Sequence, residues 1–188
     1  MVAFEEQVQP ASSPDAPTAL FLPGAGYTAQ APLLHWTARA LREVGWRIVR
    51  AEWQRRPSDV EDARKLVREA LEDFAGSGPD LVVAKSIGTL ALPWAVKKGV
   101  AGIWLTPLLF EIDVAAALAC ADERHLAIGG TDDPAWIPAA VAGTDAIVHT
   151  VAGADHGLEV ASSWRDSALG QLPAIDLAVE HAQRTRLR

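Results

Sequence analysis

The chain has 188 residues, 49% of them apolar and 22% charged, with a net charge of −7. This is the composition of one ordinary globular domain with a sizeable core. The negative balance argues against nucleic-acid or anionic-membrane partners, which reward a basic surface, and a lone cysteine, Cys120, excludes an internal disulfide.

Residues 1–17 end in PASSPDAP, rich in turn formers, and are read as a mobile N-terminal arm, with Val2, Phe4 and Val8 as candidates for a short edge strand. The single domain then runs over residues 18–188. TALFL is a buried strand by its length. Pro32 to Val44 carries a helical stripe at Leu33, Leu34, Ala38 and Leu41, closed by Gly45. WRIVRAEW is the next strand. Ser58 opens a helix to about Phe74, with Ser58 and Glu61 as a capping box. LVVA is a strand, and Ile87 to Lys98 a helix ended by Gly99, with Pro93 expected to kink it. AGIWL is a strand followed by a helix near Val114 to Ala121. HLAIG and AIVHTV are strands, and a last helix occupies part of Leu158 to Ala182.

Six alternations of strand and helix imply βαβ units and an α/β fold: a three-layer α/β/α sandwich around a mostly parallel six-stranded sheet. Ligands of such sheets sit beyond the carboxyl ends of the strands. The chemistry is therefore sought in the loops after Leu22, Trp53, Ala84, Leu105, Gly129 and Val151.

The first of these loops reads PGAGYTA. Gly24, Gly26 and Ala29 fit the dinucleotide pattern GxGxxG/A, with Glu52 near the place of a ribose-binding acid. That fingerprint needs a helix opening within the glycines, whereas the first helix start, Pro32, comes later, and Pro23 removes a backbone N–H. The same loop suits the oxyanion loop of a serine hydrolase, in which glycines let backbone N–H groups approach a tetrahedral intermediate.

After LVVA comes Ala84-Lys85-Ser86-Ile87-Gly88, a small-x-Ser-x-small turn between strand and helix. A nucleophile elbow needs small residues flanking the serine because larger ones collide with neighbouring backbone. Ser86 as a simple helix cap is the plain alternative. Gly130-Thr131-Asp132-Asp133 follows a later strand, and Ala154-Asp155-His156 the last one. A serine, an acid and a histidine thus follow three separate strands in the order Ser, Asp, His, all at one edge of a parallel sheet.

In LFLPGAGY, LVVAKSIGTLALP, GIWLTPLL, LAIGGTDDPAW and VAGADHGLEV, which span most of residues 18–160, the chain resembles the α/β-hydrolase superfamily. It looks closest to small lidless bacterial members of the dienelactone hydrolase and esterase kind. The resemblance implies Ser86 as nucleophile, Asp133 as triad acid with Asp132 as runner-up, and His156 as base. It implies oxyanion donors at the N–H of Ala25, with Gly26 or Tyr27 as alternatives, and of Ile87. Glu111 and Asp113 occupy another place where the superfamily carries its acid. The sequence departs from the family's pattern at Ala84, in place of the usual Gly, and at Pro23, where many members have His. No long insertion follows Leu105 to supply a lid.

The reading is therefore a cytoplasmic serine esterase of a small acyl substrate, working through an acyl-enzyme without metal or cofactor. An inactive binding or scaffold protein on the same fold is the alternative. Gly26, Tyr27 and Trp136, with Trp53 beside them, are candidate pocket residues. Lys85 reads as an ordinary elbow residue, Cys120 as a small buried one and His149 as core. His35, His125 and His181 read as surface or packing residues.

Overall fold

The computed structural model describes residues 2–7, 15–74, 78–161 and 163–186. Its strands are β1 (Val2–Gln7), β2 (Thr18–Leu22), β3 (Arg47–Trp53), β4 (Leu81–Lys85), β5 (Ala101–Leu105), β6 (His125–Gly130) and β7 (Ile147–Val151). They form one sheet in the order β1-β3-β2-β4-β5-β6-β7. The six strands β2 to β7 run parallel, as the alternation implied. The seventh, β1, pairs antiparallel with β3, Val2 opposite Trp53. That stretch of the expected arm is thus a sheet strand through Val2 and Phe4; Val8, and the arm as far as residue 14, lie outside the described residues.

The helices are α1 (Pro32–Glu43), α2 (Val60–Asp73), α3 (Leu92–Lys98), α4 (Ile112–Ala119), α5 (Pro138–Val141) and α6 (Trp164–Arg186). Successive side chains of a strand point to opposite faces, and the core divides accordingly. Ala19, Phe21, Leu81, Val83, Ile103 and Ile128 pack on the side of α1 and α6. Leu20, Leu22, Val82, Ala84, Trp104 and Ala127 pack with residues of α2, α3 and α4. Covered on both faces, β4, β5 and β6 are buried at every residue, which is why they read as continuous apolar runs rather than alternating ones.

Two local expectations shift. The N-cap of α2 is Asp59, not Ser58: its carboxylate accepts from the Asp62 N–H at 2.8 Å, and Asp62 accepts from the Ser58 N–H at 3.0 Å. After β4 the chain forms a 3-10 helix over Ser86–Ala91 before α3 begins. Pro93 therefore sits in the first turn of α3, where its missing N–H costs nothing, and does not kink a longer helix. No helix among the described residues is long and apolar enough to cross a membrane.

Candidate active site

From β2 the chain crosses to β3 on one side, and from β4 onward the strands add on the other. The switch lies between β2 and β4, which pair with Leu22 opposite Ala84. Crevices form outside the carboxyl ends of strands at such a point. Here the two loops at the crevice are PGAGY and the Ser86 turn. A Cβ built at Gly24 would lie 3.4 Å from Cβ of Ser86, so the loops touch. PGAGY is folded on itself by a bond from the Gly24 N–H to the Tyr27 carbonyl, 2.9 Å. The Trp53 indole N–H holds it from the side through the Pro23 carbonyl, 3.2 Å. Since α1 opens only at Pro32, no helix N-terminus faces the glycines, and the dinucleotide reading loses its anion site.

Ser86 has φ 53°, a left-handed conformation that costs a non-glycine residue about 1 kcal/mol or more. The close approach of the following turn to β2 holds it there: a Cβ at Gly88 would meet the Leu22 carbonyl oxygen at 2.2 Å, so only glycine fits. Ala84, the departure from the usual glycine, is buried among Leu22, Val82 and Trp104, where its methyl is part of the core. The Ser86 hydroxyl does not cap the helix that follows. Its Oγ lies 2.8 Å from Nε2 of His156.

His156 stands in the loop between β7 and α6. Asp155 shapes that loop, its Oδ1 accepting from the N–H groups of Gly157 at 2.7 Å and Glu159 at 3.1 Å. Nδ1 of His156 is 2.8 Å from Oδ2 of Asp133. The Asp133 side chain is 1% exposed and the imidazole 39% exposed. The other Asp133 oxygen accepts from the Ala135 N–H at 2.8 Å. An ionised carboxylate only accepts, so Nδ1 carries the proton, and in the neutral ring Nε2 is left to accept from the serine hydroxyl. The structure thus brings Ser86, His156 and Asp133 into one hydrogen-bonded line. Asp132 is exposed and bonds Thr131 instead. Glu111 and Asp113 are held by Arg64, at 2.6 and 2.5 Å. Ala25 lies half-buried in the loop beside Ser86, and Ile87 follows the serine directly.

One residue of this edge has a larger part than its sequence suggested. Lys85 is 1% exposed, and its ammonium donates to Thr106 Oγ1 at 2.8 Å and to the main-chain carbonyl of His156 at 2.6 Å. The Tyr27 ring lies 4.7 Å away on another side. Burial pushes the Lys85 ammonium down to about 8, against the pull of Asp133, Asp155 and Glu159. The one signal in the sequence was a cation closing an otherwise apolar strand.

The candidate pocket residues scatter. Trp136 is 6% exposed and its ring fills the space beside Gly129, so it belongs to the core. The Tyr27 hydroxyl accepts from the Leu33 N–H at 2.9 Å, capping α1; burial raises its pKa. Gly26 is exposed. A cavity of about 260 Å³ lies on the far side of the loop, walled by Pro23, Ala25, Ala29, Ala51 and Trp53, with Glu52, Arg55 and Arg56 also lining it; neither Ser86 nor His156 does. His125 is buried and accepts from the Trp104 indole N–H at 3.2 Å, and burial lowers it to about 4. His181 is buried on the Arg124 carbonyl, 3.0 Å. His149 is only half-buried, because β7 is an edge strand, and Cys120 is exposed at the end of α4 rather than buried.

No protein-family model matches the chain, and no curated protein matches it in sequence. Solved structures do. A lidless α/β serine hydrolase from Xanthomonas campestris superposes with TM-score 0.69 at 17% identity, covering 97% of this chain and 88% of that one. Est1E from Butyrivibrio proteoclasticus gives 0.72 at 11%, covering 100% and 95%. A carboxylesterase structure from the thaumarchaeon Nitrososphaera gargenis gives 0.63 at 10%, covering 98% and 95%. With only residues 106–111 between β5 and α4, the chain has the α/β-hydrolase fold in a compact form.

Proposed function

We propose that this protein is a serine hydrolase that cleaves a small ester-type acyl substrate. The observation that carries this is the line of two 2.8 Å contacts from a buried carboxylate through His156 to Ser86. In the proposed reaction His156 Nε2 takes the hydroxyl proton as Ser86 Oγ attacks the carbonyl carbon. Asp133 keeps the imidazole in the required tautomer and stabilises its cation. The oxyanion is received by the N–H groups of Ile87 and Ala25, each worth roughly 3 kcal/mol in such sites. The imidazolium then protonates the leaving alcohol, and the ester C–O bond breaks. Water, deprotonated by His156, attacks the acyl-enzyme and releases the acid, returning the proton to Ser86.

An ester substrate is supported by the carboxylesterase among the structural neighbours. A small one, in an open site, is supported by the short connection of residues 106–111 between β5 and α4, where a long insertion would form a lid. The test is a chain-length series of p-nitrophenyl esters. Acetate and butyrate esters are expected to turn over faster than decanoate, and Ser86→Ala to lower kcat by about 10⁴-fold or more. A folded wild type with no turnover above background would return the scaffold reading, and equal turnover by wild type and Ser86→Ala would remove Ser86 from the reaction.

A further inference from the structure

We propose that Lys85 is a positioning residue of this site: its buried ammonium fixes the loop that carries His156 against the strand that delivers Ser86. The proposal rests on the serine hydrolase reading.

The placement follows from strand alternation. Lys85 is the last residue of β4 and shares a face with Leu81 and Val83, the face covered by α1 and α6. The loop leading into α1 carries Tyr27, and the loop leading into α6 carries His156. A long side chain at this one position reaches both. The ammonium has three donors. One goes to Thr106 Oγ1 at the end of β5, 2.8 Å, and one to the His156 carbonyl, 2.6 Å. The Tyr27 ring faces it at 4.7 Å. The end of β4 and the segments that follow β2, β5 and β7 therefore meet at a single nitrogen. The imidazole leaves the same residue whose carbonyl is gripped, so the grip sets the height of Nε2 over Ser86.

A structural role alone accounts poorly for a lysine here. Taking an ammonium out of water is costly, and a buried cation is often replaced by an apolar side chain of similar volume with no loss of stability. Methionine has nearly the length of lysine and fills the same space without that cost. The carboxylates that face Lys85, Asp133 foremost and then Asp155 and Glu159, offset part of the cost but do not require the nitrogen to reach His156. A residue kept for the site and not for the fold predicts a separation of the two: slower chemistry in a chain that is no less stable.

The experiment compares wild type, Lys85→Met and Thr106→Val in the full chain, by kcat and KM on p-nitrophenyl acetate, by the rate of Ser86 labelling with a fluorophosphonate, and by melting temperature. Lys85→Met is expected to lose about 10²-fold in kcat and in labelling rate, the usual cost of misplacing a reacting group by about 1 Å. Its KM should stay within about twofold on the same principle, and its melting temperature should hold or rise. Thr106→Val keeps the lysine but removes one of its anchors, and should show a smaller loss confined to kcat. Lys85→Met with wild-type kcat overturns the proposal. So does a rate loss that tracks a fall in melting temperature, or a Lys85→Met chain that fails to fold beside a Thr106→Val chain of unchanged kcat. An unlabelled, inactive wild type brings down the serine hydrolase reading itself, and the proposal with it; that failure is recognised because it lies in the unsubstituted protein.

Discussion

Gly130 packs directly against the carbonyl of Ala154: a Cβ built on it would come within 2.0 Å of that oxygen. The contact joins the two loops that carry Asp133 and His156, and the Asp132 N–H reinforces it by donating to the same carbonyl at 3.0 Å. Gly130→Ala must therefore push the loops apart. Such overpacking costs about 1–3 kcal/mol of stability, and the displaced imidazole should cost kcat about 10²-fold. Calorimetry and ester kinetics on the variant check both.

Neighbouring aspartates separate cleanly. Asp133 is buried on His156, while Asp132 is exposed beside Thr131. Asp133→Asn presents an N–H or a neutral oxygen to Nδ1 and allows the wrong tautomer, so kcat should fall by about 10⁴-fold. Asp132→Asn should stay within about threefold, as a surface change does. Steady-state kinetics of the pair decides the assignment.

Much of this arrangement was legible in the sequence because each chemical residue follows an apolar run. TALFL, LVVA and HLAIG are buried strands and AIVHTV a half-exposed edge strand, and position at a strand's carboxyl end already put Ser86, His156 and an Asp at one edge. What stayed hidden depends on contacts between distant segments. Asp133 is preferred to Asp132 in the sequence only through the resemblance, since the residues alone do not record which one the Gly130 turn aims inward. Lys85 takes its partners from positions 27, 106 and 156, and no local pattern records them. Trp136 is core because Gly129 leaves room for its ring. VAFEEQ offers a candidate edge strand through Val2 and Phe4 but not its place in the sheet, which is set by the distant pairing of Val2 with Trp53.

Acid should weaken the fold through His125. Its pKa is lowered to about 4 by burial, against about 6.5 in the unfolded chain. The unfolded state thus binds the proton first as pH falls, so stability is full above about 6.5 and is lost between there and about 4. The loss from this residue is about 3 kcal/mol. Urea unfolding at pH 7 and pH 4 should show it in wild type, and His125→Gln should remove that part of the slope.

Lys85 should act in the alkaline range with the same sign. Its folded pKa of about 8 lies below the ~10.4 of an unfolded lysine. The fold therefore bears the cost of the buried charge at neutral pH, and that cost is relieved as pH rises from about 8 to 10.4, a gain of about 3 kcal/mol from this group. The groups that face it across this range are Asp133, Asp155, Glu159 and the Tyr27 ring, besides the main-chain carbonyl of His156. In unfolding curves taken at pH 7.5 and pH 10, Lys85→Met should lack the gain that wild type shows.

Fluorophosphonate labelling of the intact protein, with the modified residue mapped by mass spectrometry, tests directly whether Ser86 is an activated nucleophile. One phosphonyl group is expected on Ser86, absent in Ser86→Ala and strongly slowed in His156→Ala. A folded wild-type chain that takes up no label, or takes it up equally after Ser86→Ala, would contradict that role.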